Sequence, residues 1–394
     1  MRAIVLFTRD LRVHDQAALR AAADACTEIV PLFVFDEALR RSPARDALLR
    51  EALADLRARL RVCGGDLVVR TGDPVEETLR LAHETDAKIV YLGVDASAYA
   101  QRRRARLADA VDVRLENTIT AVVPGELAPA DRDHYRIFTP YWRRWRDVPL
   151  PVPLDPPARL RIPPGIEPGE LDDLPGGGET AARQRLLVWL RDGLHDYAEA
   201  RNDLARDATS RLSPYLHLGC ISAVETITRA RAEGAVADEF VRQLCWRDFY
   251  LQLLTANPET ASHDLHDQGR EWVEDEEALA AWAEGRTGYP IVDAAMRQLR
   301  SEGWIPNRAR LIVASFLTKT LGIHWRHGAR VFDEWLLDGD VANNSGNWQW
   351  VAGTGVDTRP NRKLNPIAQA KRFDPDGDYV RRYLPESDVP ATFR

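Results

Sequence analysis

Short apolar runs alternate with amphipathic helical stretches over the first third of the chain. Such runs suit parallel strands that are buried on both faces, whereas the stretches between them repeat with the period of a helix. The pattern predicts strands at residues 3–7, 29–35, 67–70 and 89–92 and helices at 45–62 and 74–85. Strands that alternate with helices indicate a doubly wound parallel α/β domain, which we place at residues 1–125.

The composition changes after this region. Residues 149–178 are rich in proline and glycine and end in three consecutive glycines, which is typical of a surface linker. From residue 181 onward the period is helical, with clear helices at 238–255, 290–301 and 306–321. Pro306 suits a first helical turn and Gly322 a C-terminal cap. We therefore expect an interdomain linker at 126–180 and an all-helical domain at 181–394.

Bulk composition excludes several classes of protein. A net charge of −7 rules out a globally basic nucleic-acid binder, although a local basic face is still allowed. The 4 cysteines form no C-x-x-C pair, which argues against disulfides, zinc and iron–sulfur clusters and for a reducing compartment. Two histidine pairs lack a third ligand, so no metal is expected. Because a signal peptide and an apolar run of about 20 residues are both missing, we expect a cytoplasmic protein that does not span a membrane.

The segment 338–350 carries the most chemical information. It holds two acids, two adjacent amides and two tryptophans, and its apolar residues follow neither a helical nor a strand period. Polar groups beside indoles suggest a cavity for a flat, hydrogen-bonding, redox-active ring. A solvated loop anchored by two tryptophans is the alternative.

Two predicted helices carry a polar edge beside their apolar stripe. The residues Gln243, Trp246, Arg247 and Tyr250 share one edge, and Asn307, Arg310 and Leu311 share another. Converging side chains of these types would hold an aromatic ligand with anionic or carbonyl edges, but two surface helices would look similar. The hydroxyls of 209–216 at a helix start could seat a phosphate, or only cap the helix. The loop after the first strand has no G-x-G-x-x-G, so ordinary dinucleotide binding is not expected there.

Five motifs occur in a fixed order: TSRLSPYLHLG, WRDFYLQLL, EGRTGYPIVDAAMRQL, NRAR and DGDVANNSGNWQWVAGTG. Together they resemble the cryptochrome/photolyase family, and most closely the bacterial class I DNA photolyases that repair cyclobutane pyrimidine dimers. The resemblance implies a lyase in which blue light drives an electron from reduced FAD to the dimer. The alternative is a cryptochrome-type photoreceptor with little or no repair activity.

The resemblance also assigns roles around FAD. The positions that match those holding the phosphates and ribose are Tyr197, Thr209, Ser210, Arg211, Leu212 and Ser213, and those around the rings are Arg247, Arg310, Asp338 and Asp340. Arg310 and Asp338 would form an ion pair, and Asn344 would face the central ring. The family's electron relay to the flavin would consist of Trp348 nearest the flavin, then Trp325, and then Trp282 at the surface.

On the substrate side, Trp246 and Trp350 match indoles that stack on a flipped-out dimer, and Asn307 and Arg308 match polar neighbours of the dimer and the DNA backbone. Dimer repair enzymes usually carry glutamate where this chain has Gln243. Glutamine at this position is found in (6-4) photolyases and in animal-type cryptochromes. The (6-4) photolyases, however, place histidines where this chain has Asn307 and Leu311. Repair of cyclobutane dimers in an altered pocket is therefore expected.

The sequence also bears on the antenna chromophore and on the binding partners. Folate-binding relatives carry Asn-Glu where this chain has Tyr99-Ala100, so folate is disfavoured; a deazaflavin, a second flavin and an empty site stay open. The partner would be UV-damaged DNA, bound by a basic face in the last ninety residues, and the protein would be a monomer. The chain stops soon after the last motif, without the long tail of many signalling cryptochromes, which favours repair.

Overall fold

The computed structural model describes residues 1–39 and 42–389. Its N-terminal part is a parallel sheet in the order β3-β2-β1-β4-β5. Central strand β1 pairs with β2 and β4, so that Ile4 lies opposite both Val30 and Val90. The strands are β1 (Arg2–Phe7), β2 (Glu28–Phe35), β3 (Val68–Thr71), β4 (Ile89–Gly93) and β5 (Asp112–Glu116).

Helices cover both faces of this sheet, as the alternation of elements predicts. Alternate residues of β1 enter different cores: Ile4 belongs to one, and Val5 and Phe7 belong to the other. The covering helices are α1 (Ala17–Ala25), α2 (Pro43–Val62), α3 (Pro74–Thr85) and α4 (Ala98–Ala108). The sequence analysis missed β5, because this edge strand is mostly exposed and has a polar sequence.

The longer regular elements in the rest of the described chain are helices. One of them, α5 (Phe138–Trp145), lies inside the segment that we predicted as a linker. The others are α6 (Gly178–Asp192), α7 (Tyr197–Ala200), α8 (Ser213–Leu218), α9 (Ala223–Ala232), α10 (Asp238–Ala256), α11 (Glu276–Ala283), α12 (Pro290–Glu302), α13 (Asn307–Ser315), α14 (Trp325–Trp335), α15 (Val341–Ala352), α16 (Pro366–Phe373) and α17 (Asp378–Tyr383). In the described part of the chain no helix has the length and apolar character that crossing a bilayer requires.

The helix predicted at 306–321 is not a single α-helix. α13 ends at Ser315 and continues as a π-helical segment, Phe316–Leu321, which Gly322 terminates with a φ of +73°. Pro306 is the N-cap, with an extended ψ of 153°, and not a residue of the first turn. The apolar pattern could not reveal the wider turn, because α- and π-helical segments bury similar side chains.

The helical part contacts the sheet where the strand order reverses, between β1 and β4. Leu11, in the loop after β1, donates its amide to the Leu218 carbonyl at 3.1 Å, and the Arg12 guanidinium donates to the Gly219 carbonyl at 3.0 Å. Gly219 ends α8 with a φ of +69°, and a Cβ here would overlap the carbonyl oxygen of Arg9. Only glycine satisfies both constraints. The helical part therefore packs against the loop after β1, at the edge of the sheet where such folds usually bind ligands.

Asp248 in α10 forms a second set of contacts between the helical part and the segment that follows β5. Its Oδ2 accepts hydrogen bonds from the amides of Ala121 and Val122, at 3.0 and 3.1 Å, and from Trp145 Nε1 at 3.1 Å. The carboxyl group is 1% exposed, and burial raises its pKa to about 6, with the Arg247 charge as the main opposing effect. One carboxyl group thus joins α10, α5 and the loop after β5.

Replacing Asp248 with alanine should leave three buried donors without a partner. At about 1–3 kcal/mol for each unsatisfied donor, the free energy of unfolding should fall by roughly 3 kcal/mol or more. Urea denaturation measures this loss, with Asp248→Asn as the matched control that keeps an acceptor oxygen. Because the folded-state pKa is raised, the stability of wild type relative to Asp248→Asn should decrease as pH rises from about 4 to about 6, and level off above that. A pH-independent difference would contradict this account.

Candidate functional site

A cavity of about 510 Å³ lies among α8, α10, α13 and α15 in the helical part. Its volume falls within the range of about 300–1,000 Å³ that is typical of small-molecule sites. Both polar edges identified in the sequence face it: the α10 edge through Gln243 and Tyr250, and the α13 edge through Asn307 and Leu311. The helices are therefore not plain surface helices.

Most of the residues singled out in the sequence line this cavity. They are Tyr197, Thr209, Ser210, Arg211, Leu212, Ser213, Gln243, Trp246, Arg247, Asn307, Arg310, Asp338, Asp340, Asn344, Trp348 and Trp350. Three others lie outside it: Trp282, Trp325 and Arg308. The Nε of Arg308 donates to the Asn202 side chain at 3.1 Å, and its guanidinium lies 4.3 Å from the centroid of the Phe373 ring.

Several polar atoms around the cavity are buried without a hydrogen-bond partner among the described residues. They are Thr209 Oγ1, His217 Nδ1, Trp348 Nε1 and Arg201 Nε. Buried polar groups are nearly always paired, and several orphans on one cavity point to a missing ligand. Thr209 also separates the two interpretations of its motif: a helix cap would use the hydroxyl, yet α8 has Leu212 as its N-cap with no side-chain hydrogen bond.

The cavity carries an excess of positive charge. Five arginines and three carboxylates line it, namely Arg201, Arg211, Arg242, Arg247 and Arg310 against Glu239, Asp338 and Asp340. Arg310 donates to both oxygens of Asp338, at 2.8 and 3.1 Å, as the sequence interpretation expected. Burial alone would raise the pKa of Asp338, but the Arg310 charge and hydrogen bonds lower it below the ordinary value. Such a site favours an anionic ligand.

Asp340 is held by a residue that the sequence analysis did not assign to the site. Arg9, in the loop after β1, forms ion pairs with Asp340 and, at 3.4 Å, with Asp95. Burial would raise the pKa of Asp340, but the charges of Arg9 and Arg247 lower it far below its usual range. Burial and the Arg9 charge lower the pKa of neighbouring His217 to about 3, so its ring is neutral. The α/β domain therefore supplies the cation that holds Asp340 on the cavity wall.

Most of the segment 338–350 belongs to α15, which begins at Val341, although the pattern predicted no regular element. Asp340 is the N-cap of α15 and accepts from the Asn343 amide at 2.8 Å. Asn344 donates its Nδ2 to the Ala329 carbonyl at 2.9 Å, which fixes a neutral amide on the cavity wall. The apolar period is missing because one buried face of the helix is turned to the cavity and is polar.

The expected order of the tryptophan relay needs correction. Trp282 is 0% exposed, donates to the Val313 carbonyl at 3.0 Å and lies edge-on to Trp348, with ring centroids 6.0 Å apart. It therefore cannot be the surface end. Trp272 is half-buried and contacts His324 at 4.7 Å, and His324 contacts Trp325 at 5.8 Å between centroids. The sequence offered no means of choosing Trp272, because its position depends on tertiary packing.

Aromatic side chains surround the Trp246 indole. Phe138 of α5 stacks on the indole with ring centroids 3.6 Å apart and an angle of 6° between the planes. Phe138 is 6% exposed, and its other neighbours include Phe249, edge-on at 5.6 Å. The linker segment thus orients an indole that faces the cavity, a role that we did not predict.

Comparison with known proteins agrees with this geometry. A family model described as DNA photolyase matches residues 3–158, and one described as the FAD binding domain of DNA photolyase matches residues 240–393. The deoxyribodipyrimidine photo-lyase of Streptomyces griseus is 48% identical, over 98% of this chain and 89% of that protein. The chain belongs to the DNA photolyase family. The family resemblance inferred from the five motifs is confirmed.

Two crystal structures extend the comparison within this family. A cryptochrome from Synechocystis sp. superposes with a TM-score of 0.91 at 30% identity, over 98% of this chain and 89% of that one. An archaeal photolyase from Sulfolobus tokodaii with two FAD molecules gives 0.88 at 30% identity, over 100% and 92%. The predicted fold class, a parallel α/β domain followed by a helical domain, is likewise confirmed.

FAD fits the cavity on three observations of this chain. The volume suits a large cofactor, the arginine excess suits its diphosphate, and the unpaired Thr209 hydroxyl and His217 nitrogen await hydrogen-bond partners. Among the residues that the structure describes, no group of three or more histidine, cysteine or acidic residues could hold a metal ion. The family's flavin is therefore the cofactor that these residues can hold.

Removing Arg9 should expose how far the site depends on the α/β domain. Arg9→Gln leaves the buried Asp340 with one fewer cation, and loss of one partner from a buried pair costs about 3–5 kcal/mol. Chemical denaturation should show a loss of this order, together with a lower flavin content. The matched control is Arg20→Gln, which breaks the exposed Arg20–Asp24 pair and should cost under about 1 kcal/mol. Equal losses in the two variants would refute the argument.

Proposed function

We propose that the chain repairs DNA in a light-driven reaction, using FAD to split cyclobutane pyrimidine dimers. The observation that carries the proposal is a cation-rich cavity with unpaired polar atoms, lined on one side by indoles and amides, in a chain of the photolyase family. When bound in its reduced form, FAD supplies the electron that opens the dimer after absorption of blue light, and regains it afterwards. The chain supplies the binding, orientation and electrostatics.

The cavity residues divide this work among themselves. The hydroxyls of Thr209 and Ser213 would accept or donate at the phosphates, while Arg247 and Arg310 would balance the negative charge. A buried anion without such partners would cost several kcal/mol or more. Asn344 is uncharged and cannot donate a proton, so it leaves an adjacent ring nitrogen unprotonated. These roles follow from side-chain chemistry and position around one cavity.

The substrate side is built to accept a base that has left the duplex. Trp246 and Trp350 line the cavity, and the Phe138 ring holds Trp246 in place from behind. Stacking against an aromatic side chain is worth roughly 1–3 kcal/mol for each base. Gln243 and Asn307 provide polar edges in the same place. This combination suits a flipped-out pyrimidine dimer.

Basic residues gather beside the cavity despite the negative net charge. Burial lowers the pKa of Arg308, and the nearby charges of Arg372, Arg201 and Arg362 lower it further. Of these, Arg201 lines the cavity. Arg201 is paired with Glu239, whereas Arg308 donates to the neutral Asn202 side chain, so the cluster keeps an excess of positive charge. Such an excess suits the phosphates of DNA. We therefore place the DNA backbone over this cluster, and binding should weaken steeply with salt.

A photoreceptor is the second candidate function, and one observation favours it. Gln243 carries no charge at a position where a carboxylate would bind the dimer edge more strongly. The cryptochrome from Synechocystis sp. also shares the fold over nearly the whole chain. Trp246, which lines the cavity, favours repair over signalling.

A second chromophore and a reducing compartment complete the proposal. The Sulfolobus tokodaii photolyase with two FAD molecules supports a second flavin among the antenna alternatives. Tyr99, where folate-binding relatives carry a different residue, gives its hydroxyl to Asp36 and its ring face to Arg103. All four cysteines are free, which fits the cytoplasm.

Repair is tested directly with an oligonucleotide that contains one thymine dimer. Protein with fully reduced flavin should restore the thymine absorption band under blue light, and should not do so in the dark. Raising the salt concentration from 50 to 200 mM should weaken DNA binding by about a hundredfold or more if several phosphates are contacted. Reduced protein that binds the dimer but never restores the band in light would favour the photoreceptor.

The revised relay is tested by photoreduction of oxidised flavin in the presence of an external reductant. Trp348→Phe, Trp325→Phe and Trp272→Phe should each slow photoreduction about tenfold or more, because each interrupts the path from solvent. Trp282→Phe should slow photoreduction by less than about threefold, because Trp282 is fully buried and cannot receive an electron directly from a reductant in solution. Repair by chemically reduced Trp272→Phe should be unchanged. Slower photoreduction in Trp282→Phe than in Trp272→Phe would restore the original order.

A further inference from the structure

The amide of Gln243 has an acidic neighbour on its own helix. Glu239 lies one turn earlier in α10, and both side chains line the cavity. Gln243 Nε2 is 3.3 Å from Glu239 Oε1 and 3.5 Å from the Glu239 carbonyl oxygen. Gln243 Oε1 accepts no hydrogen bond from any residue that the structure describes. The amide is therefore engaged on one side only.

The orientation of this amide follows from its partners. Both neighbouring atoms are acceptors, so the NH₂ group must face them; the reverse orientation would place oxygen against oxygen. Both distances exceed the usual N–H···O separation of about 2.9 Å, so the preference comes from the negative charge of Glu239 more than from a tight bond. With the NH₂ group turned back along the helix, the carbonyl oxygen is left for a ligand.

Glu239 itself is held by two arginines. Arg201 contacts Glu239 Oε1 at 2.8 Å, and Arg242 contacts Oε2 at 3.9 Å. The guanidinium of Arg201 lies 5.9 Å from the centroid of the Tyr197 ring, and that of Arg242 lies 5.6 Å from that of Phe138. The carboxylate is thus fixed between cations that are themselves packed on aromatic rings, and it cannot easily turn away from Gln243.

We propose that Glu239 is a positioning residue, which makes Gln243 a hydrogen-bond acceptor toward the substrate base. This inference rests on the proposed function. An acceptor at this place selects a pyrimidine with a hydrogen on ring nitrogen N3, as in thymine and uracil, and disfavours cytosine, whose N3 is itself an acceptor. A freely rotating amide would pair with either edge. By fixing the orientation of the Gln243 amide, Glu239 therefore gives this neutral side chain part of the base selectivity that a carboxylate would have.

A double-mutant cycle separates this role from a structural one. The kcat/KM for repair of a thymine-dimer oligonucleotide is measured for wild type, Glu239→Gln, Gln243→Glu and the double variant, each loaded with reduced FAD. Glu239→Gln alone should lower kcat/KM about fivefold, mainly through KM, which is the size of one modest hydrogen bond. In the Gln243→Glu background the same change should have no cost or should raise kcat/KM. A carboxylate has no orientation to lose there, and Glu239 would be a like charge one turn away.

Asp238→Asn is the matched control. Asp238 is exposed, lies outside the cavity and precedes Glu239 in the same helical turn, so its loss changes the helix charge equally. Its kcat/KM should stay within about twofold of wild type. Flavin absorbance and the thermal midpoint verify that every variant is folded and loaded. These two measurements distinguish a loss of folding or of flavin from the predicted change in kcat/KM.

Two results would overturn the inference: an equal loss from Glu239→Gln in both backgrounds, or no loss in wild type. A different result bears on the proposed function. Wild-type protein that is loaded with reduced flavin and shows no repair in light would reject that function alone. In that case the affinities of the four proteins for dimer-containing and for undamaged oligonucleotides replace kcat/KM. A loss of affinity from Glu239→Gln that disappears in the Gln243→Glu background would still support the role of Glu239.

Discussion

Opposite charges held out of water around one cavity are the constraint on which the rest of the structure depends. Asp338 and Asp340 are each less than a tenth exposed, and they keep their charge only because Arg310, Arg9 and Arg247 lie against them. These cations come from helices α13 and α10 and from the loop after β1. The site therefore exists only when both domains are folded and docked.

Local pattern was sufficient for most of the fold. Apolar runs located four of the five strands, and helical periodicity located α2, α3, α10, α12 and α13, because burial imposes a period on the sequence in both cases. Two elements without an apolar period were not predicted. Strand β5 is an exposed polar edge, and α15 turns polar side chains toward a cavity where a packing helix would place leucines.

The sequence likewise revealed only part of the site. The shared edges on α10 and α13 depend only on spacing along a helix, so the sequence revealed them. Arg9, Phe138 and Trp272 were missed because they reach the site from segments far away in sequence, and nothing in their local pattern marks them. Glu239 was missed for another reason: its importance comes from the orientation of a neighbouring amide, which only coordinates disclose.

The docking of Gly219 against the backbone of Arg9 limits how this family can be recombined. A glycine in the left-handed conformation there is matched to one particular loop after the first strand, and that loop also carries the partner of Asp340. An α/β domain taken from a relative with a different loop would clash with the backbone at Gly219 or leave Asp340 without its cation, even if both parts folded alone. A functional exchange of this domain therefore requires that the loop after β1 and the glycine facing it be exchanged together.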